Sequence, residues 1–343
     1  MFLNDAAVGF DTVNNKAVFI DQTLLPNEYK EVCTDDYNEI FDAIKLLKVR
    51  GAPAIGVFTA ISLAVLMNKS KALTYETLFK ELKKYCDDLI LCRPTAINLK
   101  WATGEMLRIA EESNAENFRL NLTSQALKMI DDDIAICRKI GEYGAQLLKN
   151  CNSILTHCNA GRLATVKYGT ALSPVYIAKE NGHNIKVFAD ETRPLLQGAR
   201  ITASELCESG IDTTVICDNM ASYVMKNGLV DAVLVGCDRV ALNGDTANKI
   251  GTSGIAILAK YYNIPFYVSM PFSSFDKSIK TGDDIVIEMR NGDEIGDMWY
   301  ENSMIPQNAK TLNPAFDVTD HLLITAFITE KGVFTPNQIK NYI

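Results

Sequence analysis

Residues 233–252 read VLVGCDRVALNGDTANKIGT, and this segment decides the fold class. Its first residues are apolar and β-branched, as in a buried parallel strand. It then turns abruptly polar, with acid, amide, base and glycine residues packed into a short loop before a predicted helix. Because ligands of open α/β sheets bind outside the carboxyl ends of the strands, we expect Asp238, Asn248 and Lys249 to contact a substrate.

Strand-like and helical segments alternate in the second half of the chain. Short apolar runs separated by helical stretches lie at residues 153–156, 186–189, 213–216, 232–235 and 265–268. This alternation predicts a doubly wound parallel sheet with right-handed crossovers. The chain is therefore predicted to be an α/β protein, in which a mainly helical N-terminal domain (1–150) precedes a Rossmann-like doubly wound parallel-sheet domain (151–343).

The first 150 residues are predicted to be mainly helical after a small β entry that includes residues 17–20. Asp36 is placed to cap a helix that ends near Leu47, where basic residues gather as the helix dipole favours. Further helical patterns cover residues 54–67, 75–90, 98–112 and 124–148.

Composition and charge argue against several classes of function. The 343 residues, 48% of them hydrophobic, can bury a large core, and the net charge of −8 argues against general nucleic-acid binding. We expect no signal peptide and no membrane span, because the N-terminus lacks a basic region before an apolar run and no apolar stretch looks long enough. Nine cysteines without a Cys-x-x-Cys pair indicate a reducing cytoplasm, and three histidines do not suggest a zinc cluster.

Polar residues follow each predicted strand, so a pocket at that edge of the sheet is expected. Cys158 follows the first of these strands, and near a cation or a helix N-terminus its thiol pKa would fall. The alternative is an inert packed thiol. We interpret the neighbouring His157 as an orienting or structural residue. Glu191 and Arg193 follow the second strand and are expected to pair with each other and shape the pocket.

Asp238 is open to two interpretations. It is a candidate general acid if apolar neighbours raise its pKa. Otherwise it pairs with Arg239 or caps the next turn. Its neighbour Cys237 is expected to pack behind the site, and no glycine-rich dinucleotide motif or Walker motif follows any strand.

Two arginines precede helix starts in the N-terminal half. Arg50 and Gly51 come before a helix in which Pro53 suits the first turn, so free N–H groups and Arg50 predict an anion site. Arg93 precedes a second helix start and can add a bidentate phosphate contact. Together with Lys249, these groups can neutralise one phosphate ester. The alternative is that Arg50 and Arg93 only pair with surface carboxylates.

Taken together, the motifs resemble those of the methylthioribose-1-phosphate isomerase family, which is related to the regulatory subunits of translation initiation factor 2B. The matching segments, in order, are 49–56 (VRGAPAIG), 93–96 (RPTA), 156–161 (THCNAG), 190–200 (DETRPLLQGAR), 236–252 and 313–319 (NPAFDVT). The chain departs from the commoner pattern where Cys237 replaces an expected alanine, and in the aromatic segment 298–306 with the shortened run 307–310. The last two departures can alter the pocket wall or a dimer contact.

The resemblance implies an aldose-ketose isomerase that converts 5-methylthioribose 1-phosphate to 5-methylthioribulose 1-phosphate in methionine salvage, without a metal or organic cofactor. It implies that Asp238 is the acid/base residue and Cys158 the second catalytic group. The implied substrate contacts are Arg50, Gly51, Ala52, Arg93, Gln197, Asn248 and Lys249. The expected partner is a small sugar phosphate, with no nucleic acid and no membrane, and the resemblance implies a homodimer.

Phosphate on the anomeric oxygen prevents simple opening to an aldehyde, so a proton must reach the ring oxygen as the ring breaks. Asp238 is the candidate donor, and hydrogen then passes from C2 to C1 either through Cys158 as a thiolate base or by a hydride shift. One alternative is a 5-deoxyribose 1-phosphate isomerase, because one small apolar group changes binding by only about 1–3 kcal/mol. A ribose 1,5-bisphosphate isomerase would need a second cation cluster. The non-enzymatic alternative is a regulatory subunit of a translation initiation factor 2B-like complex.

Overall fold

A computed structural model describes residues 3–94 and 96–339 of the chain. The chain divides into two compact units. The first contains Met1–Cys137 and Gly161–Gly169, and the second contains Arg138–Ala160 and Thr170–Ile343. The predicted domain boundary at residue 150 stays a prediction, because compactness alone does not test whether each part folds independently.

The first unit combines a small antiparallel sheet with long helices. Its strands are β1 (Val8–Asp11), β2 (Lys16–Ile20) and β3 (Glu31–Thr34), paired in that order. Its helices are α1 (Tyr37–Lys45), α2 (Ala52–Lys69), α3 (Tyr75–Cys92), α4 (Ile97–Glu111) and most of α5 (Phe118–Leu147), which continues into the second unit. The predicted helical N-terminal region with a small β entry is confirmed.

The predicted start of α1 is confirmed. The side chain of Asp36 accepts the backbone N–H groups of Asn38 and Glu39 at 2.9 and 3.0 Å. Two of the N–H groups that a helix start leaves without partners are thereby satisfied. The helix ends at Lys45, before the predicted end, because Leu47 has a left-handed backbone with a φ of 61°.

Helix α2 is apolar on all sides and lies inside the first unit. Every residue from Ala54 to Met67 is buried. The helix is long and apolar enough to cross a membrane, with a mean hydropathy of 1.4, so the expectation that no stretch is long enough is wrong. However, 78% of it is buried within the protein, and a helix that is apolar on every side is also typical of a protein core. The burial favours the core.

A buried carboxyl group ties residues 161–169 to α5 within the first unit. Asp133 of α5 accepts the N–H of Val166 at 2.7 Å, and the carbonyl of Val166 accepts the N–H of Ala7 at 2.8 Å. Burial raises the pKa of Asp133 to about 7, although the N–H of Val166 acts in the opposite direction. The carboxyl group of Asp133 therefore keeps its proton at mildly acidic pH.

The second unit alternates short strands and helices. The strands are β4 (Ser153–Thr156), β5 (Lys186–Asp190), β6 (Thr213–Ile216), β7 (Ala232–Val235), β8 (Arg239–Val240), β9 (Thr246–Lys249), β10 (Phe266–Ser269), β11 (Phe316–Thr319), β12 (Ala326–Thr329) and β13 (Gly332–Phe334). The helices are α6 (Ser173–Glu180), α7 (Ala203–Glu208), α8 (Ala221–Lys226), α9 (Thr252–Tyr261), α10 (Asp293–Gly296) and α11 (Pro336–Ile339), with a π-helical turn at Gly198–Thr202 before α7.

The main sheet has the strand order β13-β12-β10-β7-β4-β5-β6, and all of these strands run parallel except β13. The chain starts at β4 in the middle, runs outward through β5 and β6, and then returns to β7 and runs outward the other way. This is the order of a doubly wound Rossmann sheet, which confirms the predicted fold class. The order reverses between β4 and β7, and ligands of such sheets bind at that point.

Helices cover both faces of this sheet. Phe327 of β12 lies in a buried cluster with residues of α8 and α9, among them Val224 and Ile255. The next residue, Ile328, faces the other way, because its side chain lies 3.5 Å from where a Cβ on Gly144 of α5 would be. Strands that are buried on both faces have continuous apolar sequences, as β7 does.

A small antiparallel sheet follows β7, where the sequence predicts a loop. Strands β8 and β9 form a hairpin, and β11 pairs with β9 from the other side. The hairpin turn contains Asn243 and Gly244, and Gly244 has a φ of +94° that glycine adopts readily. An Asn-Gly pair between strand-like residues is a known hairpin signal, so the expected loop is corrected to a hairpin. Strand β9 carries Asn248 and Lys249, so the hairpin positions two predicted site residues.

Candidate active site

The ends of β4 and β7 bring the two predicted catalytic residues to the same edge of the main sheet. The strands are parallel neighbours, with Leu155 opposite Val233. Cys158 lies just beyond the end of β4, and Asp238 lies just beyond the end of β7. The strand order reverses between these strands, at the place where open α/β sheets bind their ligands.

Cys158 has a constrained backbone. Its φ is 63°, in the left-handed region that is costly for a residue with a side chain, and the residue is only 8% exposed. Its N–H donates to the hydroxyl oxygen of Thr192 at 2.8 Å, and its carbonyl accepts the hydroxyl of Thr202 at 2.6 Å. These two bonds hold the thiol-bearing residue from both sides. Local sequence singles out neither threonine, although Thr192 lies in the matching segment 190–200.

A buried polar network adjoins Cys158 within the second unit. The side-chain amide of Asn159 donates to the carboxylate of Glu205 and, at 3.1 Å, to the hydroxyl of Thr202. Glu205 is fully buried and also accepts the hydroxyl of Tyr176 at 3.2 Å. Because each of these side chains has a hydrogen-bond partner, the network can fix the loop after β4.

His157 forms a buried pair with Asp190. Its Nδ1 lies 3.0 Å from Asp190 Oδ2, and its Nε2 lies 2.8 Å from the carbonyl oxygen of Ile250. Burial alone would lower the pKa of His157, but the bond and charge of Asp190 outweigh it and raise the pKa above its usual value. The interpretation of His157 as an orienting residue agrees with these contacts. The partner Asp190 could not be predicted from local sequence.

The group formed by His157, Asp190 and Asp218 also has the composition of a metal site, since its donor atoms lie within 4.8 Å of one another. Both ring nitrogens of His157 already have protein partners. Asp218 accepts the backbone N–H groups of Thr192 and Arg193, each at 2.7 Å. We therefore interpret the group as a hydrogen-bond network that joins the ends of β4, β5 and β6.

A second group with metal-ligand composition, Asp245, Asp320 and His321, lies at the turn of the hairpin. Asp245 accepts both the backbone N–H and the ring Nδ1 of His321, at 3.0 and 2.8 Å. Burial acts against ionisation here, but the bonds from Asn243, Gly282 and His321 lower the pKa of Asp245 to about 2. These bonds give the group a structural role in holding the hairpin turn.

Asp238 is held by its backbone and exposed at its side chain. Its N–H donates to the carbonyl of Ala247 at 2.9 Å, which fastens it to β9. The residue is exposed, and its role as a general acid stays a prediction. Arg239, the alternative partner considered for Asp238, forms an ion pair with Asp276 at 3.6 Å. Cys237 packs against the core as expected, and burial with the charge of Asp238 raises its thiol pKa well above the usual value.

The side chain of Gln197 has a buried hydrogen-bond acceptor. The residue is 6% exposed, and its Oε1 has no hydrogen-bond donor within residues 3–94 and 96–339. Such atoms are rare in folded proteins and call for an explanation, of which a bound ligand is one. The next residue, Gly198, begins the π-helical turn, and a Cβ there would lie 1.7 Å from the carbonyl oxygen of Asp190. Glycine is therefore required for this turn to approach β5.

Asn248 and Lys249 end β9 and are held in place by neighbouring groups. The side-chain amide of Asn248 donates to the hydroxyl of Thr252 at 3.1 Å, and Asn248 is buried. The ammonium group of Lys249 donates to the carbonyl of Ala315 at 3.0 Å and lies 4.6 Å from the ring centre of Phe316. Both side chains are thus oriented by the small sheet and the start of α9.

The side chain of Arg193 binds backbone carbonyl groups and not the predicted partner Glu191. The expected ion pair with Glu191 is absent from the described residues. The guanidinium of Arg193 donates instead to the carbonyl oxygens of Pro194, at 3.0 Å, and Ile295, at 2.5 Å. It also lies 5.9 Å from the ring centre of Tyr300. Two of the five N–H donors of this guanidinium are therefore used on backbone carbonyl groups.

Residues 295–300, here called the aromatic strap, are fastened to the turn that carries Gln197. The indole N–H of Trp299 donates to the carbonyl of Pro194 at 2.6 Å. The guanidinium of Arg200 lies 4.6 Å from the Trp299 ring centre, within the range of a cation-π contact. Residues 298–300 of the strap belong to the aromatic segment in which the sequence departs from the commoner pattern.

The start of α2 in the first unit requires glycine. Gly51 precedes α2, has a φ of +90°, and a Cβ on it would lie 2.4 Å from the Cα of Ala164. No residue with a side chain fits between Arg50 and Ala52 without a backbone shift. Pro53 occupies the first turn of the helix, as predicted.

The starts of α2 and α4 adjoin within the first unit, because a Cβ on Gly56 would lie 3.0 Å from the carbonyl oxygen of Asn98. Arg93 directly follows α3, and its carbonyl accepts the N–H of Ala96 at 3.0 Å just before α4 begins. Thr95 of that motif lies outside the described residues. In the described part of the chain neither helix start has a side-chain cap, so N–H groups remain for an anion. The predicted anion site stays a prediction that this geometry favours.

Comparisons with known proteins agree on one family. The sequence profile of the Initiation factor 2 subunit family matches residues 48–336. The methylthioribose-1-phosphate isomerase of Symbiobacterium thermophilum is 52% identical over 333 residues, which cover 96% of this chain and 92% of that protein. The 5-deoxyribose 1-phosphate isomerase of Petrotoga mobilis is 51% identical over 329 residues, which cover 95% of this chain and 94% of that protein.

A solved structure extends the likeness to the fold. The crystal structure of 5-methylthioribose 1-phosphate isomerase from Pyrococcus horikoshii matches with a TM-score of 0.92 at 40% identity. The match covers 98% of this chain and 94% of that chain. The relatives with 51% and 52% sequence identity are named as isomerases. The chain therefore belongs to the Initiation factor 2 subunit family.

Proposed function

We propose that this protein is an aldose-ketose isomerase that converts 5-methylthioribose 1-phosphate to 5-methylthioribulose 1-phosphate in methionine salvage. The observation that carries the proposal is the position of Cys158 and Asp238 after the neighbouring strands β4 and β7, where the strand order reverses. A chain 52% identical over 96% of this sequence has the same activity in its name. The fold alone would not carry the proposal, because similar sheets serve many functions.

The first chemical step opens the sugar ring. The anomeric carbon carries phosphate, so the ring C–O bond must break as the ring oxygen gains a proton. We assign that proton to Asp238. Because Asp238 is exposed, the bound substrate has to shield it from water during this step.

The second step moves hydrogen from C2 to C1, which oxidises C2 and reduces C1 with no external oxidant. In the proton route, the Cys158 thiolate removes the C2 proton to give an enol, and the proton is then delivered to C1 while the C2 hydroxyl loses its own proton and becomes the carbonyl. In the hydride route, hydrogen moves from C2 to C1 with its electron pair while the C2 hydroxyl loses its proton. A reaction run in D₂O separates the two, because only the proton route can place deuterium at C1.

The substrate contacts are proposed in two groups. The residues Gln197, Asn248 and Lys249 of the second unit offer a buried amide acceptor, an oriented amide and an ammonium group. Arg50, Gly51, Ala52 and Arg93 of the first unit offer two guanidinium groups and helix-start N–H groups. Each group matches the chemistry of a sugar phosphate, with cations and N–H groups for phosphate and amides for hydroxyls.

The test is formation of the ketose 1-phosphate by the purified protein without added metal. Wild type is compared with Asp238→Asn and Cys158→Ala, and with Cys207→Ala as a control at an exposed cysteine outside the site. We expect both site variants to lose activity while they stay folded, and the control to keep it. Full activity in either site variant would remove that residue from the proposed mechanism.

The second candidate is the isomerase of 5-deoxyribose 1-phosphate. A relative 51% identical to this chain has that name, and the departing segment 298–306, which begins within the aromatic strap, can alter the space for the 5-substituent. Loss of one small apolar group is worth about 1–3 kcal/mol, so both sugars can be substrates. The ratio of their kcat/KM values names the preferred one.

A regulatory subunit of a translation initiation factor is the non-enzymatic candidate, which the family match favours. It would be preferred if neither sugar reacted. We further propose a homodimer in the cytoplasm. The nine free cysteines of the chain fit a reducing compartment, and light scattering of the purified protein tests the dimer.

A further inference from the structure

His157 connects the loop of the proposed catalytic cysteine to two other segments. It precedes Cys158 after β4, its Nδ1 contacts Asp190 at the end of β5, and its Nε2 contacts the carbonyl of Ile250. Ile250 belongs to the turn between β9 and α9. The imidazole is almost completely buried, and it packs on Gly251, where a Cβ would lie 3.0 Å from ring Cε1. A single side chain therefore joins the cysteine loop to this turn.

The partners of His157 determine how many protons the pair holds. A carbonyl oxygen only accepts, so Nε2 must carry a proton to bond to Ile250. If Nδ1 were bare and Asp190 ionised, a lone pair and a carboxylate would face each other at 3.0 Å. A second proton must therefore lie between Nδ1 and Oδ2, and the pair is neutral overall.

The same turn is held from its other side by β11. Asp317 accepts the N–H of Gly251 at 2.8 Å through Oδ2 and the N–H of Ser253 at 3.1 Å through Oδ1. The turn directly follows Asn248 and Lys249 in the chain. Whatever fixes the turn therefore also fixes the direction in which these two side chains point.

The charged groups that face the pair are acidic in the described part of the chain. Asp218 Oδ1 lies 4.0 Å from Nδ1 of His157. The charge of Glu191 acts to raise the pKa of Asp190, and Asp317 is close enough for the charge of His157 to act to lower its pKa. Negative charge on this side favours retention of the shared proton as the pH rises towards neutrality.

We propose that the proton shared by His157 and Asp190 positions the turn that presents Asn248 and Lys249 to the substrate, and that loss of this proton at alkaline pH weakens substrate binding. The inference rests on the proposed isomerase function. His157 is a positioning residue, because both of its ring nitrogens bind the protein. The contact is fully formed at acidic pH and is lost as the pH rises through the raised pKa of His157.

Asp190→Asn is the decisive variant. A neutral His157 keeps its Nε2 proton for Ile250, and the new side-chain amide can donate to the bare Nδ1, so both bonds persist without a proton to lose. We expect KM of the wild type to rise at least about fivefold from neutral to alkaline pH with little change in kcat, and we expect this rise to be lost in Asp190→Asn. Every other titrating group is present in both proteins. Asp212→Asn, at an exposed aspartate before β6, is the control and should keep the wild-type profile.

His157→Phe keeps a ring but removes both bonds, and it should raise KM about tenfold at all pH values. A wild-type KM that does not change with pH, or the same pH dependence in Asp190→Asn, would overturn the proposal. So would a hundredfold loss of kcat in Asp190→Asn, since the His157 charge would then act in the chemistry. A lower melting temperature of His157→Phe with unchanged KM would make the residue purely structural.

Amide hydrogen exchange provides a readout that does not need turnover. Exchange of the amides of residues 249–253, corrected for its intrinsic pH dependence, should speed up at alkaline pH in wild type but not in Asp190→Asn. If neither sugar reacts but this difference is found, the isomerase assignment fails and the proton-dependent positioning of the turn stands. If both proteins exchange alike, the positioning inference fails whatever the protein catalyses.

Discussion

Replacement of Asp133 by asparagine is expected to stabilise the protein at neutral and alkaline pH and to leave it nearly unchanged in acid. Asp133 is 9% exposed and accepts the N–H of Val166 at 2.7 Å, and burial raises its pKa from 3.8 to about 7. An asparagine oxygen can accept the same N–H but carries no charge. The substitution therefore keeps the bond and removes the cost of ionising a buried group.

The sign and size of the effect follow from the two pKa values. The folded protein keeps the Asp133 proton up to about pH 7, whereas the unfolded chain loses it near 3.8. The contribution of this group to the free energy of unfolding is therefore greatest below 3.8 and falls until about pH 7. The difference of about 3 pKa units, at about 1.4 kcal/mol each, gives an upper estimate of about 4 kcal/mol. We expect almost no change at about pH 4 and a gain of up to this value at about pH 8.

Urea unfolding of wild type and Asp133→Asn across this range measures the difference. Asp131→Asn, at an exposed aspartate of the same helix, is the control and should show no gain that depends on pH. A chain with two units can unfold in steps. Hydrogen exchange of the Val166 backbone amide is therefore measured as well, because it reports unfolding around Asp133 itself. A difference that is the same at every pH would refute the argument, because it would mean that Asp133 does not titrate in this window. Destabilisation at about pH 8 would also refute it.

Three further substitutions test the candidate site. Gly51→Ala should raise KM for the sugar phosphate about tenfold and lower the melting temperature, because the new Cβ would lie 2.4 Å from Ala164, whereas Gly104→Ala on the open surface of α4 should do neither. Gln197→Leu should weaken substrate binding by about 1–3 kcal/mol, measured as a higher KM, without lowering the melting temperature, because its buried Oε1 has no donor within the described ranges. Reduced stability with unchanged KM would contradict this. Trp299→Phe removes the bond to Pro194 and should change the ratio of kcat/KM for the two sugars several-fold, and identical ratios would mean that the strap does not affect the 5-substituent.

The strands beside the site were predictable because each is a short apolar run that ends in polar residues. Strand β7 has the predicted bounds, and its abrupt end before Asp238 marks the carboxyl edge of the sheet. The start of α1 was predictable for a related reason, since the carboxylate of Asp36 satisfies N–H groups that every helix start exposes. In both places the physical cause lies within a few residues of the structural feature.

The groups that hold the site were not predictable, because their partners are distant in the chain. Asp190 lies 33 residues from His157, and the carbonyl of Ile295 lies 102 residues from Arg193. No local periodicity encodes such pairs. The hairpin after β7 is a different case, since the Asn243 and Gly244 pair was a local signal. The exposure of Asp238 depends on packing around the loop, which local sequence does not specify.

The turn that presents Asn248 and Lys249 is completed by residues that are made late in synthesis. The ammonium group of Lys249 donates to the carbonyl of Ala315, and Asp317 accepts the N–H of Gly251; each partner lies 66 residues further along the chain. During translation the hairpin therefore leaves the ribosome well before the strand that completes its sheet. A nascent chain that stops before β11 would contain every residue of the proposed site and still lack the strand that orders two of them.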